Sequence, residues 1–258
     1  EQTHEINQQA ALHARAEADA AGKPVLVAGS MGPTGDLLQP LGEVTQEEAS
    51  AAFLKQARGL AEGGADVLWI ETLSSEEEAA AAVTAAAETG LPIIVTLSFD
   101  TGGRTMMGIK PQDWAGLSTR MPAPLSAYGA NCGVGAAELV ATVLGIAGAA
   151  AASAVIVAKG NCGIPELIDG EIRYNGTPDL MAEYAVMARD AGARIIGGCC
   201  GTTPDHLKAM RTALDTQPAG PTPDVEQIMA RLGTVSKLAH GIDAAEEAKK
   251  RKRPRPDR

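Results

Sequence analysis

Aromatic residues are scarce: two Trp, three Tyr and two Phe in 258 residues. A site that grips a quaternary ammonium group in a cage of rings therefore has little to draw on. No apolar run reaches the ~18–20 residues that span a bilayer, which excludes an integral helical membrane protein. The opening Glu1-Gln2-Thr3-His4 has neither the basic start nor the apolar core of a secretion signal. It also lacks an initiator Met, so the sequence reads as processed, trimmed or part of a longer one. Four cysteines are too few for a secreted disulfide scaffold, and the expected setting is reducing and cytoplasmic.

The net charge of −10 is unevenly spread. Residues 249–258, KKRKRPRPDR, hold seven Lys or Arg against Asp257, so the remaining body is more acidic than the total indicates. Such a body is unsuited to a phosphate backbone, and nucleic acid is not an expected partner. The basic end itself reads as a solvated, disordered tail. Ahead of it, the run TQPAGPTPD reads as a Pro-rich linker, followed by one amphipathic segment at Val225–Leu232. The expected division is a folded domain over 1–215, then linker, short helix and tail over 216–258.

Six short apolar runs have the character of buried strands: 25–29, 67–71, 93–98, 126–130, 154–158 and 194–198. Ala-rich stretches of helical composition separate them, at 46–63, 75–89, 136–150 and 178–191, with further helices expected over 3–20, 111–120 and 204–215. Thr45 with Glu48, Ser75 with Glu78, and Thr177 before Pro178 mark helix starts. Continuous apolar strands alternating with helices predict a parallel sheet covered by helices. No G-x-G-x-x-G follows the first strand, which weakens an open dinucleotide-binding sheet. The expected fold class is α/β, a (β/α)8 TIM barrel with about six β/α units, two short of eight.

The cysteines fall at strand ends. Cys132 follows the fourth strand in Tyr128-Gly-Ala-Asn-Cys-Gly, and Cys199 and Cys200 follow the sixth in Ile196-Gly-Gly-Cys-Cys-Gly. A parallel barrel turns all strand C-termini to one face, so these three thiols should converge there. Thiolates suit zinc, and three of them leave one tetrahedral position open. Spacing alone matches no zinc-finger pattern and favours inert core thiols. Placement at two strand ends, flanked by glycines, favours ligands instead. Cys162, in a second Asn-Cys-Gly triplet on the same face, could close the shell, but is expected farther out on its loop.

Glu71 ends the second strand and should face the same mouth, where a carboxylate can anchor a substrate ammonium or simply make a loop salt bridge. Trp69 shares its parity and should also point inward. The backbone of Gly29-Ser-Met-Gly-Pro-Thr-Gly could hold a carboxylate or be a plain turn. His206 reads as part of a helix start, and His4, His13 and His240 belong to no constellation.

Asn131-Cys132-Gly133 together with Gly197-Gly198-Cys199-Cys200-Gly201 resembles the homocysteine S-methyltransferase family. These zinc-dependent (β/α)8 barrels include betaine–homocysteine methyltransferases and the homocysteine module of cobalamin-dependent methionine synthase. Gly29-Ser-Met-Gly-Pro-Thr-Gly, Ile70-Glu-Thr and Gly201-Thr-Thr-Pro-Asp-His support the likeness, which runs over residues 5–214. Ser98-Phe-Asp-Thr-Gly-Gly-Arg-Thr-Met-Met-Gly is similar to the bacterial branch often assigned betaine as donor.

The resemblance implies Cys132, Cys199 and Cys200 as ligands of Zn²⁺, with Glu71 and Asn131 at the homocysteine. It implies methyl transfer to homocysteine to give methionine, with betaine the favoured donor. Methyltetrahydrofolate through cobalamin, or S-methylmethionine, are the rival donors, and a non-catalytic barrel scaffold is the rival class. The partners implied are small molecules, with a homo-oligomer compatible and no membrane. The family's opening strand with its Asp-Gly-rich turn, and its second strand, find no counterpart here. The resemblance thus implies an open six-strand barrel with two exposed sheet edges.

Overall fold

In the computed structural model, residues 2–100, 102–168 and 170–236 are described. The expected tail at 249–258 and His240 lie outside the described residues. Helix α1 (Gln2–Ala20) precedes strand β1 (Ala28–Met31), and the chain then alternates through α2 (Gln46–Glu62), β2 (Val67–Leu73), α3 (Glu76–Ala87), β3 (Ile93–Leu97), α4 (Pro111–Leu117), β4 (Ala127–Cys132), α5 (Ala136–Ala149) and β5 (Ile156–Gly160). An antiparallel hairpin, β6 (Pro165–Ile168) and β7 (Glu171–Tyr174), comes next. The chain continues with α6 (Pro178–Asp190), β8 (Ala193–Gly198), α7 (Pro204–Thr216) and α8 (Val225–Leu232).

The six expected strands form one parallel sheet in the order β1-β2-β3-β4-β5-β8. Alternation of side chains sorts the core into two layers. Leu68, Ile70, Val95, Leu97, Tyr128, Ala130, Ile156 and Ala158 pack outward against the helices. Val67, Ile94, Ala127 and Val157, with Trp69 and Ile195 beside them, form a smaller inner cluster. β1 and β8 are the two ends of the sheet, and among the described residues no pairing joins them.

The first strand is a correction. It begins at Ala28 rather than at residue 25, because its partners on β2 run only from Ala28↔Val67 to Met31↔Ile70. Val25 and Leu26 lie upstream of that ladder, and Leu26 is 77% exposed. Asp66 fixes the start: its carboxylate accepts from Val27 N at 2.7 Å and from Arg15 at 2.8 Å. The bond from the Val27 N–H, against a smaller cost of burial and with help from Arg15, holds this carboxyl below the usual range. The hairpin β6–β7 falls in a stretch to which the sequence assigned no element.

Helix starts follow the local chemistry. Thr45 and Glu48 form a reciprocal capping box. Ser75 accepts from Glu78 N, but the Glu78 carboxylate turns away to accept from Thr34 N at 2.8 Å and Thr34 Oγ1 at 2.7 Å. The loop 29–35 does hold a carboxylate, therefore, and it is the protein's own. The stretch after α7 is pinned to the barrel. Arg189 donates to the carbonyls of Gln217 and Pro218, Arg231 pairs with Glu183, and Ile228, Leu232 and Val235 join the outer core. No helix among the described residues is long and apolar enough to cross a membrane.

Candidate metal centre

Strand register brings the thiols together. Cys132 at the end of β4 lies opposite Gly160 of β5, and Gly160 lies opposite Gly198 of β8. Cys132 and Cys199 therefore leave the sheet at the same level although two helices and a hairpin separate them in sequence. Cys132 has φ +60 and Gly133 φ +75, so two consecutive left-handed residues turn the chain sharply at the strand end. The cost of that conformation for a non-glycine residue is the kind of strain found at functional sites.

The Sγ atoms of Cys132 and Cys200 are 3.9 Å apart, those of Cys199 and Cys200 4.0 Å, and all three lie within 4.8 Å of one another. Tetrahedral zinc with bonds of about 2.3 Å would set its sulfurs roughly 3.8 Å apart. The spacing and the all-sulfur donor set fit such an ion, with one coordination position left over. Cys200 is exposed and the other two are half-buried, so the centre opens to solvent. The thiols are already unequal. A hydrogen bond from Cys132, opposed by burial and aided by the charge of Lys159, brings Cys199 down to about 5. Cys132, the donor in that bond and partly buried, is pushed strongly up.

Two buried asparagines frame the trio. Asn131 accepts from Thr72 N at 2.9 Å, donates to Thr72 Oγ1 at 2.8 Å and reaches Cys199 Sγ at 4.0 Å. Thr72 is itself left-handed, at φ +67, and these bonds hold it there. Asn161, unremarked in the sequence reading, bridges both thiol loops. Its Oδ1 accepts from Cys200 N at 3.1 Å and its Nδ2 donates to the Gly133 carbonyl at 2.8 Å. The repeated Asn-Cys-Gly triplet was its signal, since Asn161 directly follows β5 as Asn131 nearly ends β4. Partners of this kind orient ligands, and losing one weakens metal binding roughly 10–100-fold. Asn161→Ala is expected to do so, measured by competition with a chromophoric chelator; unchanged affinity would remove Asn161 from the site.

Cys162 corrects the sequence reading in one respect. It stands apart from the trio, but it turns inward and is 1% exposed rather than lying out on its loop. Its Sγ is 3.1 Å from His206 Nε2 and 3.1 Å from the Gly176 carbonyl. His206 caps α7 as expected, with Nδ1 accepting from Thr203 N. Glu71 faces the mouth, where Ser30 Oγ donates to one oxygen at 2.5 Å and Lys159 pairs with the other. Trp69 points inward, its Nε1 donating to Thr96 Oγ1 at 3.1 Å. Tyr174, from the hairpin, presents its ring against Gly201 and its hydroxyl towards Cys200.

The model for the family described as Homocysteine S-methyltransferase matches residues 1–214. Methionine synthase of Mycobacterium leprae (strain TN) is 30% identical over 253 residues, covering 94% of this chain and 21% of that protein. The chain thus spans about a fifth of the length of that relative. The homocysteine methyltransferase MmuM from Escherichia coli shares the fold. Its apo form has a TM-score of 0.67 at 24% identity, over 82% of this chain and 74% of that one. Its metallated form has a TM-score of 0.56 at 25% identity, over 78% and 65%. With a match over most of its length, the chain belongs to the homocysteine S-methyltransferase family.

Proposed function

We propose that the chain transfers a methyl group from betaine to the sulfur of homocysteine, giving methionine, with zinc held by Cys132, Cys199 and Cys200. One observation carries this: three sulfurs from two distant strand ends lie within 4.8 Å of one another at an open mouth. A zinc ion bound there supplies a lowered thiol pKa, so that homocysteine is a thiolate at neutral pH. Glu71 offers its carboxylate to the substrate ammonium. Asn131 fixes Thr72 and the Cys199 side of the wall against which the amino acid rests. As the substrate sulfur bonds to the methyl carbon, the nitrogen–methyl bond breaks and the amine leaves neutral. The thiol proton has already gone to solvent on forming the thiolate, so the displacement itself moves no proton and needs no general base.

The working unit is the domain at 1–215, with α8 resting on α5 and α6, in a reducing, cytoplasmic compartment that keeps the four cysteines free. A cationic donor suits the cavity beside Thr72 and Ser98, about 440 Å³, whose walls carry Asp36, Glu76, Glu77 and Asp100. The identity with a methionine synthase favours a second reading of the donor, methyltetrahydrofolate acting through a cobalamin partner. A screen of the zinc-loaded chain with homocysteine separates these. Methionine is expected with betaine. Turnover only with S-methylmethionine or with methylated folate and cobalamin would reassign the donor, and none with any donor would leave a non-catalytic scaffold.

A further inference from the structure

Lys159 has no role in that reading, yet it stands between its two halves. It shares the inward face of β5 with Val157 and lies opposite Asn131 and Gly197 in the sheet. That position is one residue, about 3.3 Å, below the Gly160 level at which the thiols leave their strands. Its ammonium pairs with Glu71 and lies 5.4 Å from the centroid of the Trp69 ring. The two side chains are 25% and 15% exposed, so the pair is largely withdrawn from water but open to the mouth. Beside three thiols a lone carboxylate would be repelled by any thiolate; the lysine turns it into a dipole.

We propose that Lys159 reads the α-carboxylate of the thiol substrate while Glu71 takes its ammonium, the resident ion pair opening to accept a zwitterion. This rests on the proposed function. Homocysteine carries both charges on one carbon, three bonds and roughly 4 Å from its sulfur. With the sulfur at the thiol trio, that carbon reaches the layer where Lys159 and Glu71 sit. An ammonium has three N–H donors, so Lys159 can keep one on Glu71 and give another to the carboxylate. The mouth gains no net charge, since each end of the substrate meets its opposite. A thiol lacking the carboxylate would leave the lysine unanswered, and the site would thereby select an amino acid over a simple mercaptan.

Calorimetric titration of the zinc-loaded chain with three thiols tests this: L-homocysteine, 3-aminopropane-1-thiol without the carboxylate, and 4-sulfanylbutanoate without the ammonium. Lys159→Met should weaken homocysteine and 4-sulfanylbutanoate roughly 10–100-fold, the worth of a charge-assisted hydrogen bond. It should leave 3-aminopropane-1-thiol as tight or tighter. Lys159→Arg should recover most of the loss, and Lys159→Gln should keep the ordering of the Met variant. Glu71→Gln should show the opposite preference, weakening the two amines and sparing 4-sulfanylbutanoate. Equal weakening of all three thiols by Lys159→Met, or none, overturns the role of Lys159 and leaves the methyltransferase reading intact. Failure of the unaltered chain to bind any of the three would sink both.

Discussion

Cys200→Ala is expected to strip the metal centre and abolish methionine formation. The backbone at Cys200 is held independently of its sulfur, by Asn161 on the N–H and by Cys162 N on the carbonyl at 2.9 Å. The side chain is exposed, so alanine fits without disturbing the core. The variant therefore separates ligand loss from unfolding. Thiolate-rich zinc sites bind with about 10–16 kcal/mol, or about 3–4 kcal/mol per ligand if shared evenly. Losing one ligand should weaken zinc by roughly 10²–10³-fold. Metal analysis after dialysis should fall from about one zinc per chain to a small fraction of that. Cys162→Ala, which lies outside the trio, should keep its zinc. Full metal and full turnover in Cys200→Ala would mean the ligands have been misassigned.

Gly201→Ala should be nearly as damaging by a different route. Gly201 has φ +76, and a Cβ there would lie 2.3 Å from Tyr174 Cγ and 2.6 Å from Tyr174 Cβ. The second of those atoms is bound to the backbone of β7, so no rotation of the ring relieves the contact and the hairpin must move. The left-handed conformation costs alanine about 1–2 kcal/mol and overpacking about 1–3 kcal/mol more. For a domain of this size that lowers the melting temperature by on the order of 10 °C. Zinc affinity should fall as well, because Cys200 is the neighbouring residue. Adding Tyr174→Gly, which removes both contacting atoms, should restore the packing part and not the backbone part, a difference a double-mutant cycle can read. A melting curve superimposed on that of the unaltered chain would show that the close approach of Tyr174 is wrong.

The strands in the middle of the sheet were legible as continuous apolar runs. Ile93–Leu97 and Ile156–Gly160 are apolar throughout much of their length because both faces are covered. Val25-Leu26-Val27 has the same look, but the ladder it would join ends at Ala28, a fact of pairing that composition does not carry. The hairpin was legible in principle, since Asp169-Gly170 between Leu167-Ile168 and Glu171-Ile172 is a two-residue turn signal. It went unseen because the segment sits where a barrel loop was due. At the site, residue type and strand-end placement were enough to gather Cys132, Cys199 and Cys200. They could not reveal Asn161 as a bridge or Lys159 as the partner of Glu71, because both depend on which strands are neighbours and in what register. Glu78 shows the same limit: a capping pattern predicted its partner as Ser75, and the fold supplied a better one in Thr34.

Cys132 and Cys200 stand 68 positions apart along the chain, with α5, β5, the hairpin, α6 and β8 between them. On the ribosome, the first of these sulfurs emerges long before the other two have been synthesised. Until then the nascent polypeptide offers only one sulfur of the trio, a poor chelator for any passing cation. Any ion taken up by the trio would have to wait until the last sheet strand has docked, and its capture would certify that the C-terminal half has been assembled correctly.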